Sequence, residues 1–117
     1  MKMLKSILLG AIAAAAFAGA AYADPVALEV VISKPKAGAT LAQVLEADKA
    51  MGAYIAKQPG FISREVGTSA DNEVFVVVHW ATMKDAEAAG QAFMSVPEGK
   101  AMLGLVDASV FKHFTTQ

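Results

Sequence analysis

The sequence predicts an α+β fold of the ferredoxin-like kind, in which strands and helices follow one another as β-α-β-β-α-β. Its four strands form one antiparallel sheet with both helices on the same face. Three observations predict it. Apolar residues alternate with period two in several short segments, they recur at helical spacing in two longer ones, and breaker clusters containing Pro or Gly separate the segments.

Val26–Ser33 is the first strand, with Leu28, Val30 and Ile32 on one side and Glu29, Val31 and Ser33 on the other. It ends at the breaker Lys34-Pro35-Lys36-Ala37-Gly38. Thr40 with Gln43 three residues later is a capping-box signal, and Leu41, Val44, Leu45, Met51 and Ile55 then repeat at helical spacing up to Gln58. Pro59-Gly60 stops that helix. The strands Phe61–Gly67 and Glu73–Ala81 flank the turn-rich Thr68–Asn72 and read as a hairpin. Thr82 with Asp85 restarts a helix through Ser95, broken at Val96-Pro97. A short helical turn over Glu98–Leu105 and a last strand, Ala108–Phe114, complete the order.

At 117 residues the chain has room for one ordinary domain, expected over residues 24–117. Met1–Ala23 has the three parts of a cleaved secretory signal: Lys2 and Lys5, an uncharged run from Ser6 to Tyr22, and Ala21-Tyr22-Ala23 before Asp24. An uncleaved anchor is the rival reading, although Ala and Gly dominate the run and contribute little to insertion. Cleavage would release a periplasmic or secreted domain with no membrane span. The chain has no cysteine, which excludes a disulfide, a thiolate nucleophile and an iron–sulfur cluster. A net charge of -1 without a basic block argues against a nucleic-acid partner.

The third strand is apolar on both sides, with Val74, Val76, Val78 and Trp80 on one and Phe75 and Val77 on the other. Two helices can cover only one face of one sheet. At about 25 cal/mol per Å2, a few hundred Å2 of exposed Phe and Val would favour association by several kcal/mol before the cost of immobilising a partner. A homodimer formed sheet against sheet is therefore expected.

In these features the chain resembles the antibiotic biosynthesis monooxygenase (ABM) group of dimeric α+β barrels. The resemblance rests on the order and spacing of a helix closed by Pro59-Gly60-Phe61, a hairpin with Asp71-Asn72 at its tip, and Val78-His79-Trp80-Ala81-Thr82 leading into an Ala/Glu-rich helix. It implies a dimeric α+β barrel, and a group that includes cofactor-independent oxygenases of aromatic or quinol-like compounds, haem-degrading enzymes and small proteins with no assigned activity. The haem-degrading branch is similar in its Trp at the position of Trp80. It also has a His about ten residues later and an Asn in the first strand, and neither is present here.

Two residues are candidate catalysts. Asp48 falls on the apolar stripe of the first helix, where a carboxylate turned inward could take a proton from an acidic C–H or a phenolic O–H; the plain alternative is a solvated stripe edge beside Lys49. His79 is a candidate base, or else a hydrogen-bonded residue of the sheet interface. Trp80, Tyr54, Met51, Phe93 and Met94 are candidate ligand contacts, each with core packing as its simpler role. For Trp80 that role includes an N–H given to a backbone acceptor. Gly52 inside a helix suggests a close approach by sheet or ligand. Arg64 beside Glu65 reads as a solvated device that blunts edge pairing. His113 shares the Phe111 side of its strand and could lie near His79 across the sheet. Two isolated histidines give no metal signal, and no phosphate loop or nucleotide fingerprint is present. The expectation is an exported protein that binds a small apolar or aromatic compound. Its enzymatic reading is oxidation of a quinol-like substrate by dioxygen with no cofactor; the alternative is non-catalytic ligand binding or interaction, with haem binding as a lesser option.

Overall fold

The computed structural model describes residues 26–116, so Met1–Ala23 and its expected cleavage lie outside the described residues. The elements are β1 (Ala27–Pro35), α1 (Leu41–Ile55), β2 (Phe61–Thr68), β3 (Val74–Trp80), α2 (Met83–Phe93), α3 (Pro97–Leu103) and β4 (Val106–Thr115). The strands form one sheet in the order β2-β3-β1-β4, every neighbouring pair antiparallel. This is the predicted ferredoxin-like α+β arrangement. The short helical turn expected over Glu98–Leu105 is the seven-residue α3, which packs against α1 and buries Met102. Among the described residues no helix is long and apolar enough to cross a membrane.

Local chemistry sets the boundaries. The Thr40 side chain accepts the Gln43 N–H at 3.1 Å and the Gln43 side chain accepts the Thr40 N–H at 2.9 Å, so the capping box at the start of α1 is complete. Thr82 accepts the Asp85 N–H at 3.0 Å and caps α2. After α1 the chain turns at Gly60, where φ is +82° and a side chain would also run into the Asp85 carboxylate.

Two bulges decide which residues face the helices. β2 pairs Phe61 with Trp80 and then Ser63 with His79, leaving Ile62 as an extra residue. From that point the parity of β2 is reversed, which puts Arg64 opposite Val78 on the helix side. A second register shift, between Ile32 and Ser33 of β1, leaves Ser109 of β4 unpaired, and its hydroxyl donates to the Ile32 carbonyl at 3.1 Å.

The helix-facing side of the sheet carries the core. Val74, Val76, Val78 and Trp80 pack with Val44, Met51 and Ile55 of α1, Ala86 and Ala89 of α2, and Met102 of α3. In β1 the inward residues are Ala27, Glu29, Val31 and Ser33, not the more apolar set. Leu28, Val30 and Ile32 share the other face with Phe75, Val77, His79, Val110 and Phe114. On that face Phe75 and Phe114 are 43% and 46% exposed.

Candidate functional site

A cavity of about 110 Å3 lies between the sheet and the three helices. Its wall is mostly apolar, with Val31, Val76 and Val78 from the sheet, Met51 and Ile55 from α1, Phe93 from α2 and Met102 from α3. Four polar side chains break this lining: Glu29, Ser33, Asp48 and Arg64. An apolar cavity of ~150 Å3 takes one benzene ring, so this space is on the scale of a single ring.

Arg64 of β2 reaches beneath α1 and holds both oxygens of Asp48, with Nη1 donating to Oδ2 at 3.1 Å and Nη2 to Oδ1. The side chains are 14% and 8% exposed, so this is a buried bidentate pair. The reading of Arg64 as a solvated edge device is corrected: the bulge at Ile62 turns it inward. Asp48 likewise is neither solvated nor paired to Lys49, whose partner is Glu46. Gly52, one turn after Asp48, owes its place to the same pair. A Cβ there would sit 2.8 Å from Arg64 Nη1, so the expected close approach is made by the guanidinium.

At the other side of the cavity Glu29 is buried at 6% exposure. Trp80 Nε1 donates to its Oε1 at 3.2 Å, and His113 Nε2 lies 3.4 Å from its Oε2. The register makes this possible, because Glu29 pairs with Val78 in β3 and with His113 in β4, next to the Ala27–Trp80 pair. Trp80 is fully buried, with the Phe61 ring set edge-on at 6.0 Å. Its N–H therefore goes to a carboxylate rather than to the backbone acceptor expected.

The cavity opens beside β4. Gly90 and Phe111 line both the cavity and a shallow outer depression bounded by Glu87, Gln91, Met94 and His113. A Cβ on Gly90 would lie 3.7 Å from the tip of the Phe111 ring, so this glycine and this ring meet at the lip.

The sequence candidates are distributed unevenly. Asp48, Met51 and Phe93 line the cavity. Trp80 stands behind it and touches it through Glu29. Tyr54 is half-buried against the core and its carbonyl accepts from Gln58, away from the lining residues. Met94 is 60% exposed and borders only the outer depression. His79 projects from the opposite face of the sheet, with its Nε2 3.6 Å from a Glu65 oxygen, so Asp48 and His79 are separated by the sheet. His113 faces Glu29 on the helix side and is not beside His79. Glu29, Arg64 and Phe111 escaped the sequence reading of the site. A buried indole's need for an acceptor was the one signal that pointed toward Glu29. Among the described residues no group of three or more His, Asp or Glu could hold a metal ion.

No protein-family model and no curated protein matches the sequence. Solved structures do match. SnoaB, a cofactor-independent oxygenase from Streptomyces nogalater, superposes with a TM-score of 0.66 at 20% identity, over 81% of this chain and 95% of its own. An antibiotic biosynthesis monooxygenase candidate from Nitrosomonas europaea gives 0.63 at 16% identity, over 80% and 90%. A monooxygenase candidate from Shewanella loihica gives 0.57 at 20%, over 78% and 92%. The chain shares the fold of these structures. At these identities the ABM likeness is one of architecture, and the chemistry has to be argued from the residues of this cavity.

Proposed function

We propose that this ABM-fold protein binds a small, single-ring aromatic compound between sheet and helices and oxidises it with dioxygen, without a cofactor. The observation that carries the reading is the apolar cavity into which a few fixed polar groups converge. The architectural likeness to SnoaB, a cofactor-independent oxygenase, supports the reaction class. Met51 and Phe93 would contact the ring, and the Asp48–Arg64 pair would border it. Dioxygen would serve as oxidant: the quinol would give up two hydrogens and four electrons, gain one oxygen atom and become a hydroxyquinone, and the other oxygen atom would leave with those hydrogens as water. The apolar wall would keep bulk water from the reacting ring of a neutral, quinol-like substrate. A second reading, non-catalytic binding of the same kind of ligand, is favoured by the engagement of both Asp48 oxygens by Arg64, which leaves that carboxylate poorly placed to act as a base.

Oxygen uptake with 1,4-hydroquinone decides between the two. The oxygenase reading expects uptake clearly above the buffer rate. Uptake no faster than buffer, with binding retained in equilibrium dialysis, leaves the binding reading alone. Export to the periplasm or the exterior, and a homodimer that covers the Phe75–Phe114 face, complete the proposal. His79 would then lie at the sheet-to-sheet interface. Light scattering on the domain at micromolar concentration is expected to give twice the monomer mass, and a monomer mass would remove the paired barrel.

A further inference from the structure

Within the cavity, Asp48 and Arg64 consume each other's charge, and Ser33 is neutral. Glu29 is the remaining charged liner, and its contacts leave acceptor capacity over: each carboxylate oxygen has two lone-pair directions, Trp80 Nε1 uses one on Oε1, and His113 Nε2, 3.4 Å from Oε2, takes one at most. An acceptor of this kind in a mostly apolar space is poorly matched to a ring without a donor. It repels a ligand carboxylate, and among the described lining residues the cation, Arg64, is already bidentate on Asp48. A neutral hydroxyl donor suits it.

We infer that Glu29 is the specificity-determining residue of the cavity, accepting the O–H of a neutral hydroxyarene whose single ring fills the apolar remainder. The inference rests on the aromatic-ligand reading above and sharpens it to phenols over unsubstituted or anionic rings. Trp80 and His113 are positioning residues in this arrangement. One holds Oε1 from the core and the other holds Oε2 from the lip, so the carboxylate cannot turn away from the cavity. The ring would arrive past Phe111 and Gly90, with its hydroxyl pointing down β1 toward Glu29.

The test is a ligand-observed fluorine NMR titration of the intact domain with 4-fluorophenol, fluorobenzene and 4-fluorobenzoate. A charge-assisted hydrogen bond in this setting predicts that 4-fluorophenol binds about tenfold or more tightly than fluorobenzene, and that 4-fluorobenzoate binds worst. In Glu29→Gln, which keeps the side chain's size and an oxygen for Trp80, the phenol preference is expected to fall to about threefold or less. Fluorobenzene affinity should stay within about twofold of wild type. If that variant does not fold, carboxyl carbon NMR of the wild type supplies the answer: the Glu29 carboxyl resonance should move with 4-fluorophenol and stay in place with fluorobenzene. Equal affinity for phenol and fluorobenzene would leave aromatic binding intact and overturn the role of Glu29, as would tighter binding of the benzoate. Binding of none of the three would remove the ligand reading itself, and this inference with it.

Discussion

Arg64→Ala is expected to cost about 3–5 kcal/mol of folding stability, because it leaves the Asp48 carboxylate buried beneath α1 with no counter-charge. Urea denaturation followed by the fluorescence of Trp80, the chain's one tryptophan, measures this directly. An exposed pair of the same residue types contributes about 0–1 kcal/mol, so the size of the loss reports whether the pair is as dry as the structure has it. A second variant replaces both residues at once, Asp48→Leu with Arg64→Met. Replacing both charges by apolar side chains of similar bulk should recover most of the loss, since neither member is then stranded. A cost for Arg64→Ala below about 1 kcal/mol would mean that Asp48 turns out to water, and the polar border of the cavity would have to be redrawn.

Trp80→Ala is expected to do comparable damage, about 3–5 kcal/mol, from the void left by a fully buried indole at the heart of the sheet. Trp80→Phe separates packing from polarity. It keeps a ring against Phe61 but removes the N–H that reaches Glu29, so a loss of about 1.5–3 kcal/mol is expected from the carboxylate alone. Thermal unfolding followed by circular dichroism gives both values, since neither variant retains tryptophan emission. If Trp80→Phe were neutral, Glu29 would have another donor and the Trp80–Glu29 link would be dispensable.

The parts of this molecule that could be read from the sequence are those whose causes are local. Thr40 with Gln43, Thr82 with Asp85, and Pro59-Gly60 act over a few residues, and helix and strand order followed from them. The place of Asp48 on the stripe with Val44 and Met51 allowed an inward direction but did not decide it against a solvated edge. Its partner was not readable, because Arg64 reaches the helix side only through the extra residue at Ile62, and a one-residue bulge leaves no mark on an apolar–polar alternation. The location of Glu29 was hidden for a different reason. With both sides of the sheet apolar, composition does not say which side the helices cover, and in β1 they cover the side with the glutamate and the serine. The separation of His79 from His113 was equally hidden, because it depends on how β3 and β4 each register against β1.

The bulge at Ile62 makes the chain's tolerance to change lopsided. Ile62 is half in water and exchanging it for another side chain should matter little. Excising it is another matter, since the strand beyond would slip by one place, swing the guanidinium out to solvent and abandon the aspartate beneath the helix. In descendants of this sequence, length in that short stretch should therefore be kept more strictly than the identity of the residues that compose it.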